Sequence, residues 1–205
     1  LFTCFLDNDI ILKLSAFDVF EEAIASLDID WQQLRVMDTA YYVFQGNRQI
    51  VAKYSEEIRQ RAIAVTQRCE ASAIDASDEF LLLRDFIDIG EASLIAATGK
   101  EETFFFTTGD KRCLEALANN PSLSSVHARL CGRTICLEQL IYRLIMSQGF
   151  EVIQKKIVSA YDCDRAIKNI FGVSTFADES TVITNLQSYI NDLQLRSRGL
   201  LYTFD

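Results

Sequence analysis

At 205 residues, with 49% hydrophobic and 24% charged side chains, the chain has the makings of one packed domain with or without an appendage, and a largely disordered polymer is excluded. A formal net charge of −9 at pH 7 excludes a protein that coats nucleic acid through a broad basic face. Apolar runs such as residues 80–83 and 104–106 fall far short of the roughly 18 to 20 residues that cross a bilayer, so no membrane association is expected.

Residues 1–6 are an apolar, Phe-rich run ending at Asp7, the pattern of a buried central strand in a parallel sheet. The run has no basic start, so it does not read as a signal peptide. Ser15 and Asp18 resemble a capping box, and Phe17, Phe20, Ala23, Ile24 and Leu27 follow at helical spacing, which predicts a helix over 16–27. Gly46-Asn47 marks a turn, and residues 54–69 carry Ile58, Ala62 and Val65 on one helical face. Asp75, Ser77 and Asp78 offer caps to a helix through 80–86, and a second helix begins near Asp88, close to Gly90.

Residues 103–108 are β-branched and aromatic, and they stop at Gly109-Asp110 like a second buried strand, with Asp110 opening a helix through Ala118. Pro121 marks a loop, residues 126–130 are a candidate strand, and 135–146 return to helical spacing. Residues 150–205 read as two or three helices, with Val152, Ile153, Ile157 and Val158 pointing to one buried face. The order describes an α/β sandwich with a mostly parallel sheet over 1–149 and a C-terminal helical extension, 150–205, packed on it. Ligands in such sheets bind beyond the carboxyl ends of strands, where Asp7 and Asp110 fall.

Six cysteines (Cys4, Cys69, Cys113, Cys131, Cys136 and Cys163) show no C-x-x-C spacing, and reduced thiols in a cytoplasm are expected. Cys131 and Cys136 have no second pair, and the only histidine, His127, lies outside any ligand spacing, so no structural zinc is expected. Trp31, Tyr41, Tyr42 and the run 104–106 are expected to pack rather than to stack bases.

Three acidic blocks stand out in order: Leu6-Asp7-Asn8-Asp9-Ile10-Ile11, Asp88-Ile89-Gly90-Glu91-Ala92-Ser93-Leu94 and Phe106-Thr107-Thr108-Gly109-Asp110-Lys111-Arg112. Over roughly residues 3–146 their order and setting resemble a PIN domain: a first strand ending in Asp, a later helix carrying Gly-Glu-Ala, and a strand leading into Thr-x-Asp-Lys/Arg. The resemblance implies a three-layer α/β/α sandwich with a central, mostly parallel sheet. It also implies that Asp7, Glu91 and Asp110 are the metal-binding, catalytic carboxylates of a nuclease, more often one acting on RNA than on DNA. Asp9 stands where many members have Asn or Ser and is a candidate additional or supporting ligand. The family's remaining acidic position has no clear match. Asp38 is the best candidate and Glu56 the next, while Asp88, three residues before Glu91, could share its helical face.

Such a cluster suits Mg²⁺ or Mn²⁺, hard ions that prefer oxygen ligands. Without the ion, neighbouring carboxylates repel one another, which raises some of their pKa values and leaves a site poised for cations. Lys13, Lys111 and Arg112 are candidate phosphate contacts, and the Thr108 hydroxyl a candidate for orienting a ligand or water, with solvated charges and ordinary strand residues as the plain alternatives. The only basic surplus follows this region, with 7 basic against 4 acidic side chains in residues 128–170. Two other functions fit the same blocks: a catalytically silent PIN-like interaction module, and the toxin half of a toxin–antitoxin pair whose cleft an inhibitory protein partner blocks. A homodimer is an expectation by analogy.

Overall fold

The computed structural model describes residues 2–204. Strand β1 (Thr3–Leu6) is followed by helices α1 (Asn8–Ala16) and α2 (Phe20–Ala25), then β2 (Leu34–Met37), α3 (Ala40–Gly46), α4 (Arg48–Lys53), α5 (Glu56–Arg68) and β3 (Glu70–Ser72). The chain continues through α6 (Asp78–Leu83), α7 (Ile89–Ala97), β4 (Phe104–Thr108), α8 (Lys111–Asn119), α9 (Ser124–Leu130) and β5 (Thr134–Cys136). It ends in α10 (Leu137–Gln148), α11 (Phe150–Val158), α12 (Arg165–Phe171) and α13 (Glu179–Arg196).

The five strands form one all-parallel sheet in the order β3-β2-β1-β4-β5, the centre of a three-layer α/β/α fold. Every residue of β1 and of β4 is buried, which is why both read as unbroken apolar or β-branched runs. Strand succession runs outward from β1 to β3, then restarts at β4 on the other side. With right-handed crossovers the two sets of connecting helices therefore cover opposite faces, and the reversal lies between β1 and β4. Their register pairs Leu6 with Thr107, so the chain leaves both strands at the same level, with Asp7 N–H donating to Thr107 O at 3.0 Å.

Three sequence expectations need correction. The helix expected over 16–27 is confined to Phe20–Ala25, and an unanticipated helix, α1, precedes it, starting directly after Asp7 and ending before Asp18, whose φ of 54° breaks the helical path. Ser15, expected as a cap, is buried inside α1. Residues 126–130 belong to helix α9, not a strand: Val126 and Leu130 are both buried one helical turn apart, and the strand is Thr134–Cys136. β2 and β3 were not anticipated. Asn47, however, does close a turn, since its Oδ1 accepts from Gln49 and Ile50 N–H at the start of α4.

The C-terminal helices are tied into the molecule. α10 packs on α2, α11 and α13, and α13 reaches α8 and α12. Residues 199–202 then run beside β5: Gly132 N–H donates to Gly199 O and Thr134 N–H to Leu200 O, both at 3.0 Å, and Tyr202 N–H donates to Thr134 O at 2.7 Å. This segment covers the outer side of β5, and Leu200 and Leu201 are buried there. Among the described residues no helix is long and apolar enough to cross a membrane.

Candidate functional site

The carboxylates of Asp7 and Glu91 and the backbone N–H of Asp110, from three different parts of the chain, meet at one hydroxyl. Asp7 leaves β1 in extended conformation at the N-terminus of α1, but its carboxylate does not cap that helix. Instead its Oδ2 accepts a hydrogen bond from Thr108 Oγ1 at 3.2 Å. Glu91 Oε1 lies 3.4 Å from the same hydroxyl, which has a single proton to share between the two carboxylates. Thr108 Oγ1 in turn accepts from Asp110 N–H at 3.0 Å. Thr108, fully buried as the last residue of β4, thus links all three acids.

The electrostatics of the three differ. Asp7 and Glu91 are 6% and 4% exposed. Burial, reinforced by the negative charge of Asp9, pushes Asp7 up to about 7. Burial, with the charges of Asp7, Asp110 and Asp88, pushes Glu91 up to about 9 although the buried Cys113 thiol donates to it. Asp110 is held below the ordinary carboxylate range: burial acts against it, but the Arg112 side chain and backbone N–H outweigh that cost. Asp110 Oδ1 caps α8 through Arg112 N–H at 2.8 Å, and its Oδ2 lies 3.1 Å from the Arg112 guanidinium.

The remaining candidates are arranged around this centre in different ways. Asp88 is exposed and caps α7 through Gly90 N–H at 2.8 Å, so it acts on Asp7 and Glu91 through its charge. Asp9 pairs with Lys13 one turn along α1. Asp38 sits one strand away, exposed at the carboxyl end of β2, with its backbone N–H bonded to Ser72 O. Glu56 is exposed in the first turn of α5. Lys13, 6% exposed, is enclosed between Asp9 and Asp164. Lys111 turns to the buried Glu138 at 2.6 Å and lies 4.6 Å from the centre of the Tyr189 ring. Arg112 remains 91% exposed beside Asp110.

Three residues that the sequence did not mark as parts of the site contribute to it. Cys113 lies one helical turn past Asp110, a spacing that could have flagged it. Gly109 provides clearance: a Cβ there would stand 2.3 Å from Asp9 Oδ2. Asp164 lies far along the chain, and nothing local announces its pairing with Lys13. Among the described residues no three or more His, Cys, Asp or Glu side chains stand close enough, as arranged, to enclose a metal ion.

A groove of about 1310 Å³ opens elsewhere, between α2, α10, α13 and residues 201–204, with Gln139, Arg143, Gln187, Gln194, Tyr202 and Phe204 in its wall. Comparison of the chain with models of known families, with curated proteins and with solved structures finds no match.

Proposed function

We propose that the chain is a metal-dependent nuclease that hydrolyses phosphodiester bonds, with RNA as the favoured substrate and Asp7, Glu91 and Asp110 as the residues that hold Mg²⁺ or Mn²⁺. One observation carries this reading. Among the described residues neither Asp7 nor Glu91 forms an ion pair, yet both are buried within reach of one Thr108 hydroxyl, with their pKa values raised to about 7 and about 9. Burying carboxylates without a compensating charge is costly, and here the protein's own cations do not meet that cost: Lys13 serves Asp9 and Asp164, and Lys111 serves Glu138.

The donor types suit a hard divalent ion, being all oxygen: Asp7 and Asp110 follow the adjacent strands β1 and β4 and Glu91 enters from the first turn of α7, and the three side chains would draw together on binding it. Such an ion, when bound, would activate a water for attack on phosphorus and stabilise the leaving oxygen. The chain's own parts have separable tasks. Thr108 aligns Asp7 and Glu91 and anchors the Asp110 backbone. Asp110, kept ionised by Arg112, supplies fixed negative charge. Arg112, reaching solvent, is placed to meet a substrate phosphate. A second reading, an interaction module, is favoured by the large groove between α2, α10 and α13, whose wall includes none of the three acids.

The deciding experiment is cleavage of a mixed pool of labelled single-stranded RNAs with Mn²⁺ by the native chain, Asp7→Asn and Asp110→Asn, purified identically. Cutting by the native chain alone is expected. Three equally inert preparations, together with calorimetry showing no Mn²⁺ uptake by the native chain, would end the catalytic reading in favour of the interaction module.

A further inference from the structure

The acidic centre rests against a second, buried polar cluster whose members come from both ends of the chain. Lys13 Nζ lies 2.7 Å from Asp164 Oδ2, and the two side chains are 7% and 13% exposed. The other Asp164 oxygen, Oδ1, accepts Ile167 N–H at 2.9 Å as the cap of α12, so this carboxylate is fixed at both oxygens. Lys13 also pairs with Asp9. Burial works against the Lys13 charge, but the two carboxylates together hold the ammonium well above its ordinary value. Tyr54, 4% exposed, adjoins the same cluster, with its hydroxyl unpartnered among the described residues.

The cluster touches the backbone that carries the acids. At Gly109, between Thr108 and Asp110, an added Cβ would stand 2.3 Å from Asp9 Oδ2 and 2.9 Å from Lys13 Nζ. The ion pair therefore fills the place where any other residue would have a side chain. A contact runs from Asp164 through Lys13 to Asp9, and from Asp9 onto the two-residue turn that sets Asp110 against Thr108.

We propose that Asp164, in the C-terminal helical segment, is a positioning residue of the acidic site: through Lys13 it fixes Asp9 against Gly109 and thereby holds the Thr108–Asp110 turn in place. This rests on the nuclease reading for its catalytic consequence but not for its structural one. The region after residue 149 is then part of the working site and not merely attached to it.

The test compares native protein with Asp164→Asn and Asp164→Glu in three measurements: amide hydrogen exchange of residues 108–111 without metal, Mn²⁺ binding by calorimetry, and RNA cleavage resolved into kcat and KM. Asp164→Asn is expected to speed exchange over 108–111, to weaken Mn²⁺ binding by about 10-fold or more and to lower kcat with KM little changed. Asp164→Glu, which keeps the charge, is expected to recover most of each. A folded Asp164→Asn with native exchange over 108–111 would overturn the proposal, as would native Mn²⁺ affinity and kcat accompanied only by lower global stability. Hydrogen exchange requires neither metal nor RNA. A native protein that binds no Mn²⁺ would therefore defeat the nuclease reading while the positioning of the turn is still decided by the exchange rates.

Discussion

Raising the pH should destabilise the metal-free protein across a range in which most domains are at their firmest. A carboxyl whose folded pKa lies above its unfolded value keeps its proton in the native state after the unfolded chain has lost it, so the unfolded state gains with every step upward in pH. For Asp7 the window runs from about 3.8, its ordinary value, to about 7. Below that window both states are protonated and the group contributes nothing; above it the full penalty stands. At about 1.4 kcal/mol per pH unit, the penalty for Asp7 reaches roughly 4 kcal/mol. Glu91 extends the decline toward about pH 9, and because the two carboxylates titrate as neighbours the total falls short of the two taken separately. Urea unfolding midpoints in EDTA from pH 5 to 9 would display the decline. Asp7→Asn should flatten the portion below pH 7, and saturating Mn²⁺ should lift the native curve most at the alkaline end. A native midpoint that stays level from pH 5 to 9, or an Asp7→Asn curve as steep as the native one, would refute the claim that these carboxylates are buried without compensation.

Two substitutions probe the packing around the same centre. Gly109→Ala drives a methyl group into the Asp9–Lys13 pair, and a loss of about 1 to 3 kcal/mol in urea unfolding is expected. Gly46→Ala, where an added Cβ meets nothing within 4 Å, is the control; equal midpoints for the two variants would show that the pair yields freely. Lys111→Met leaves the buried Glu138 without its partner and should cost about 3 to 5 kcal/mol. Adding Glu138→Gln should return much of that loss, whereas an additive loss in the double variant would mean that Lys111 has its main role elsewhere.

The parts of the fold legible in the sequence were those whose burial is uniform. β1 and β4 lie at the sheet centre, so their sequences are apolar or β-branched without interruption, and each stops at the carboxylate that matters. β2 escaped because Arg35 sits in its middle, half-buried and paired with Glu70 of β3 at 2.9 Å, which breaks the apolar pattern. β3 is a short edge strand with largely exposed side chains and carries almost no signal. Residues 126–130 misled because a run of five is too short to separate a helical turn from a strand by periodicity. At the site, the caps at Asp88 and Asp110 were readable as local patterns. Lys13 and Lys111 looked like free cations because a sequence does not show which charges fold inward, and each finds a carboxylate from a distant segment.

The strand-like segment at residues 199–202 also bears on how the chain is made. A parallel sheet with an uncovered outer strand offers a row of unsatisfied backbone groups to any extended neighbour, including another copy of the same chain. Synthesis proceeds from the N-terminus, so β5 stays in that open state through the making of α10 to α13 and is covered only when Gly199, Leu200 and Tyr202 arrive beside Gly132 and Thr134. Such late, long-range closure slows folding and lengthens the exposure of an adhesive edge. The interval before residue 199 emerges is thus the one in which this edge is open to pairing with an extended neighbour.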